Sequence, residues 1–226
     1  NGREVPDSLM MLPDTAKVPK MIQPLVYSAT VGVNLWDPFM RAIGQKYGLV
    51  DFSAEFNFHN RYIAVLEAGV GNADYTPDDN NYTYKVGLTP YFRIGANYNF
   101  LYNSNPDYSV YAGLRYGLSH FKYRLTDVTI DLPYWEETAK VDFPEQRSTV
   151  HHIKVLFGLR VKVFRQLSLG WEISYRGILK QTKQPGGNPW YIPGYGTSNG
   201  HLGAAFSVYY TFPLGKEGYQ GNKTEA

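Results

Sequence analysis

From Tyr84 to Phe100 the chain reads YKVGLTPYFRIGANYNF. Every second residue from Tyr84 to Tyr98 is apolar: Tyr84, Val86, Leu88, Pro90, Phe92, Ile94, Ala96 and Tyr98. Between them stand Lys85, Gly87, Thr89, Tyr91, Arg93, Gly95 and Asn97. A period of two is that of a β-strand with unlike faces. The same alternation recurs in eight stretches, at about 24–36, 47–59, 60–71, 82–99, 108–121, 149–164, 166–178 and 201–213. Helical spacing is nowhere sustained, although Asp37-Pro38 suits the start of one helical turn within 37–45.

The connections alternate in length. Those near 37–46, 72–81, 122–148 and 179–200 are long, whereas His59-Asn60, 101–107 and Arg165-Gln166 are short or medium. In an up-and-down antiparallel sheet alternate connections share an end, so one end collects the long loops and the other the tight turns. Short periplasmic turns and long external loops are the pattern of outer-membrane barrels. The chain is therefore expected to be all-β, an eight-stranded antiparallel up-and-down transmembrane barrel over residues 24–214. An extended arm (1–23) and a polar tail (215–226) are both expected in the periplasm. Pro90 is awkward on a strand and predicts a bulge.

Alternation does not say which face is outside. Volume does, because the interior of an eight-stranded barrel is filled by a modest number of side chains. The apolar set, from Leu25, Tyr27 and Val31 through Phe56, Phe92 and Trp171 to Phe212, is too bulky for it. Glycine agrees: Gly32, Gly69, Gly87, Gly95, Gly113, Gly117, Gly158, Gly170 and Gly203 share the polar face, where a narrow lumen needs small neighbours. Charge agrees as well. Asp51, Glu55, Glu67 and Glu172 share that face with Arg61, Lys85, Arg93, Arg115, Lys154, Arg160 and Arg176. Mixed signs can pair in a lumen, whereas Arg or Lys facing mid-bilayer costs about 2–4 kcal/mol. These eleven residues are the expected lumen network. Leu49, Ile63, Val65, Phe121 and Leu156 interrupt the polar face and are expected to plug it.

Composition adds little. A net charge of +2 gives no electrostatic case for nucleic acid, and the absence of cysteine removes disulfides and thiolate metal sites. No cofactor is expected. The catalytic candidates are Ser119-His120 and Ser148 with His151 and His152, which neighbouring strands bring to one rim. No acid lies at matching height, so they read as interfacial residues. Adjacent His151 and His152 point to opposite faces and cannot chelate one ion. His59-Asn60 reads as a turn. Two aromatic-rich loops, with Tyr134, Trp135 and Phe143 in one and Trp190, Tyr191 and Tyr195 in the other, are candidate partner contacts. The alternative is that they cap the barrel against each other. Asp7-Ser8-Leu9 and Asp14-Thr15-Ala16 fit a short O-glycosylation pattern.

The stretches YAGLRYGLSHFKYRL (111–125), LGWEISYRGILKQ (169–181), WYIPGYG (190–196) and FSVYYTFPL (206–214) resemble a family of small outer-membrane proteins of Bacteroidota, catalogued as a domain of unknown function. The resemblance implies export to the outer membrane, no established catalytic residues, and accessory membership of the outer-membrane protein assembly (BAM) complex. The function expected is a non-enzymatic barrel that contacts outer-membrane lipids and docks other outer-membrane proteins or surface lipoproteins. A small passive pore and a lipid A-modifying enzyme are the alternatives.

Overall fold

A computed structural model of the chain describes residues 23–76, 82–132, 137–182 and 187–214. Residues 1–22 of the expected arm, both Asp-Ser/Thr motifs, the tail, Tyr134 and Trp135 lie outside the described residues.

Eight strands close on themselves: β1 (Val26–Asn34), β2 (Val50–Phe58), β3 (Tyr62–Tyr75), β4 (Thr83–Asn99), β5 (Tyr108–Thr126), β8 (Gln146–Phe164), β9 (Leu167–Gln181) and β12 (Leu202–Pro213). All neighbours are antiparallel and consecutive, and β1 closes the ring against β12. The fold is the closed eight-stranded up-and-down barrel that the alternation predicts. Between the wall strands sit a short helix α1 (Trp36–Ala42), a hairpin of β6 (Val128–Leu132) and β7 (Glu137–Val141), and a two-residue pair of β10 (Tyr191–Ile192) and β11 (Gly196–Thr197). The tight turns hold positive φ at His59 (51°), Asn60 (53°) and Arg165 (44°), as reversal in two residues requires.

Phe92 and Ile94 are 58% and 62% exposed, while Arg93 between them is 6% exposed. The apolar face is outside and the charged face is inside. Ile63, Val65, Phe121 and Leu156 are buried in the lumen as expected.

Two of the register shifts overturn expected faces. Between Val86 and Tyr91 β4 spends five steps where β5 spends four, from Tyr123 to Ser119. Gly87 and Leu88 consequently both face outward. This bulge lies just before Pro90, and it inverts the start of the strand. Tyr84 and Val86, expected outside, are buried, and Lys85 and Gly87, expected in the lumen, are exposed. A second register shift between Val26 and Ser28 turns Tyr27 inward.

The strands differ in length. At about 3.4 Å per residue and a tilt near 40°, nine-residue β1 and β2 rise roughly 23 Å, and nineteen-residue β5 and β8 roughly 49 Å. The long-loop end is a slanted wall, high at β4, β5 and β8 and low at β1 and β2.

Candidate functional site

The lumen has three levels. At the tight-turn end is an open polar chamber of about 440 Å³, whose lining includes Asn57, Asn99, Arg160 and Lys162. Lys162 reaches Asp107 there at 2.5 Å.

The middle level is an ion-pair layer. Arg93 donates through Nε to Glu67 Oε2 (2.6 Å) and through Nη2 to Asp51 Oδ2 (2.8 Å). Arg115 Nε takes the other oxygen of Glu67 at 2.8 Å. Lys154 meets Glu172 at 2.5 Å, and Arg160 meets Glu55 at 2.8 Å. Four acids face four bases, which is how charge survives away from water. The Arg160 guanidinium also lies 3.7 Å over the ring of Tyr209 and 5.6 Å from that of Tyr111. A Cβ on Gly170 or Gly32 would come within 2.7 Å of Tyr209, so these glycines make room for a tyrosine. Tyr111 and Tyr209 were absent from the expected network, although they share parity with Arg115 and Gly203.

Three expected members stand apart. Arg61 lies at the turn rim, bonded to Tyr98 Oη at 3.1 Å and stacked against Tyr62 and Tyr102. It shares the parity of Ile63, Val65 and Glu67, but it precedes the first residue of β3, Tyr62, and so lies at the rim and not along the lumen wall. Lys85 faces outward because of the bulge. Arg176 sits above the layer and bonds backbone carbonyls, of Tyr195 and of Leu202 (2.7 Å), in place of a carboxylate.

The third level is a plug. The segment Trp190–Gly196 dips into the long-loop end of the barrel, and Tyr191, Ile192 and Tyr195 pack with wall residues Tyr84, Val86, Phe121, Tyr123 and Val150. The expectation that Tyr191 and Tyr195 meet partners is overturned, since they are 3% and 0% exposed. Trp190 is half-buried, packed against Tyr47, Tyr75 and Tyr84. Phe143 is also half-buried, with its backbone amide bonded to Leu125 O.

A loop with little regular structure cannot enter a lumen unless its carbonyls find donors. Here the wall supplies them. Tyr84 Oη donates to Tyr191 O (2.8 Å), Ser119 Oγ to Pro193 O (2.5 Å), Arg93 Nη1 to Gly194 O (2.6 Å), and Arg176 to Tyr195 O. Arg93 therefore ties the plug to the ion-pair layer. Gly194 and Gly196 carry φ of +78° and +106°, a reversal that L side chains resist.

The catalytic candidates do not assemble. Ser119 serves the plug, and neither ring nitrogen of buried His152 has a hydrogen-bond partner. His120 reaches Thr149 Oγ1 at 2.8 Å and His151 reaches Tyr116 Oη at 2.5 Å, both on the outer face. Among the described residues no cluster of His, Asp or Glu is placed to hold a metal.

Asp37, at the start of α1, was not anticipated. Burial, reinforced by the nearby charge of Asp51, raises its carboxyl pKa to about 6. The chain comes close beside it at Gly48, where a Cβ would fall 2.7 Å from Asp37 Oδ2.

The profile of the family described as Domain of unknown function (DUF6048) matches residues 13–217. The chain belongs to that family. No match was found among curated proteins. Among solved structures it is similar to Neisserial surface protein A (NspA) at 14% identity and a TM-score of 0.42, over 82% of this chain and 96% of that one. It is similar to the N-terminal β-barrel domain of Pseudomonas aeruginosa OprF at 13% and 0.38, over 83% and 98%. A major outer membrane protein from Thermus thermophilus follows at 12% and 0.39, over 82% and 98%. At these values the likeness is one of barrel form.

Proposed function

We propose that this DUF6048 chain is an integral outer-membrane barrel with a sealed lumen that works through its surfaces. The observation that carries the membrane reading is the outward belt. Phe52, Phe56, Phe92, Ile94, Leu114 and Ile173 are each more than half exposed on a closed barrel. In water such a belt far exceeds the few hundred Å² of contiguous apolar surface that a soluble monomer shows. The shortest strands rise by about the height of a barrel's apolar band, roughly 25 Å. Both barrel ends, Val26 and Pro213, lie at the tight-turn end, and that end is assigned to the periplasm.

The plug and the ion-pair layer weigh against a passive pore. The dispersed serines and histidines give no support to a lipid A-modifying enzyme. What remains is a platform: the tall wall of β4, β5 and β8, topped by the β6–β7 hairpin, stands clear of a bilayer that β1 and β2 barely span. Such a wall suits docking of other envelope proteins. The outer-membrane assembly machinery is the first partner to test, on the sequence resemblance alone.

Membrane fractionation and a gentle-detergent pull-down test the two halves of the reading. The chain is expected in the outer-membrane fraction, resistant to alkaline extraction, with a barrel or lipoprotein in fixed ratio. A chain that stays folded in buffer without detergent overturns the membrane reading, and a chain that purifies alone overturns the docking.

A further inference from the structure

The barrel is notched where its first and last strands meet. β12 pairs with β9 from Leu202 to Tyr210, but with β1 only from Ser207 onward. Leu35 N donates to Phe206 O at 2.8 Å, and the chain then leaves the wall as α1, which lies against β12. Along Gly203–Ala205 the helix stands where a strand would otherwise be.

Outside the notch is a groove of about 800 Å³. Trp36 and Phe39 of α1, Phe157 of β8, Trp171 and Ile173 of β9, and Phe206 of β12 form its walls. Inside is a polar chamber of about 340 Å³ that Asp37, Lys154 and Arg176 help line. Trp36, Ala204 and Ala205 border both spaces, so the wall they share is the start of α1 and a stretch of β12 that carries only methyl side chains.

The chamber holds a guanidinium, that of Arg176, which bonds no carboxylate although Asp37 lines the same space. Asp51, Glu55, Glu67 and Glu172 are each paired with Arg93, Arg115, Lys154 or Arg160. Arg176 bonds two carbonyls through Nη1 and Nη2, and its Nε is buried without a hydrogen-bond partner.

We propose that the notch is a lateral binding site for one outer-leaflet lipid with a phosphate headgroup. Its acyl chain lies in the groove, and its phosphate reaches over Ala204 and Ala205 to Arg176. The proposal rests on the membrane reading above. Lipid is the occupant because the groove is continuous with the apolar belt that the acyl chains already cover. An added strand from another protein would need the edge of β12, which α1 overlies. A guanidinium with a spare donor suits a phosphate oxygen.

The test is native mass spectrometry of the full chain, purified in a neutral detergent and incubated with phosphatidylglycerol or with diacylglycerol of the same chains, which lacks the phosphate. One lipid per barrel should survive washing, with phosphatidylglycerol retained about tenfold better, a difference near 1.4 kcal/mol. Ala204→Trp, which fills the groove from the outer face, should lower retention of both lipids about tenfold. Arg176→Gln should erase the preference for phosphatidylglycerol while leaving chain binding. Arg176→Lys, which keeps the charge, should retain the preference and guards against mere loosening of the plug. Equal retention by wild type and Ala204→Trp overturns the site. So does a protein held at the notch with no lipid, and so does a barrel that needs detergent yet binds no lipid in fixed ratio. Folding without detergent would instead remove the membrane reading beneath it.

Discussion

The hydroxyl of Tyr84, on the wall, donates a 2.8 Å hydrogen bond to the backbone carbonyl of Tyr191, in the loop that fills the outer lumen. The two residues are 107 apart in the chain, and the bond is buried. Tyr84→Phe keeps the ring contacts with Trp190 and Tyr123 but leaves that carbonyl without its donor, a cost of about 1–3 kcal/mol. Limited proteolysis should cut the 187–200 loop faster in this variant. Unchanged resistance would mean that packing alone seats the plug.

Glu67 is the hinge of the ion-pair layer, because each of its oxygens takes a different arginine. Glu67→Gln leaves two buried guanidiniums short of charge and should cost about 3–5 kcal/mol. The midpoint of the heat-induced gel shift of the detergent-folded barrel should fall accordingly. Replacing exposed Glu145, which pairs with Lys122 and Arg124, should move it little.

Ile94 and Lys85 lie on one strand, and both face outward. Ile94→Arg sets a charge against the bilayer and should cost about 2–4 kcal/mol in lipid refolding. Lys85→Leu should stay within about 0.5 kcal/mol of wild type, because the bulge has taken Lys85 out of the lumen. A large loss in Lys85→Leu would put that residue back among the lumen charges.

Asp37 holds its proton up to about pH 6, against 3.8 when unperturbed. Between those values the unfolded chain has released the proton and the folded one has not. Stability should therefore fall as pH rises through roughly 4–6 and level off above it. Asp37→Asn should remove that slope and make the barrel more stable near pH 7–8, by at most about 3 kcal/mol. Denaturation midpoints at pH 4, 6 and 8 would show it, and parallel curves for the two proteins would exclude Asp37 as the cause.

Much of this architecture is written in local pattern. Strand number, the alternation of long and short connections, the outward apolar face and eight of the eleven expected lumen charges follow from a period of two, a property of the backbone that needs no distant contact. The three that fail do so for different reasons. Arg61 stands at the rim before β3 begins, Lys85 precedes a bulge, and Arg176 lies above the layer, where a loop carbonyl replaces its acid.

The plug was legible only as composition. Tyr191 and Tyr195 have the look of exposed anchors, and nothing in WYIPGYG says whether water or a lumen surrounds it. That depends on Tyr84, Arg93, Ser119 and Arg176 offering donors at the right heights along the wall. The notch is of the same kind, since it exists only because β1 stops where β12 continues. Parity along a strand is a local quantity and survives in the sequence. The fit of a loop into a cavity is a sum over residues that only chain closure brings together, and it was decided in the tertiary structure.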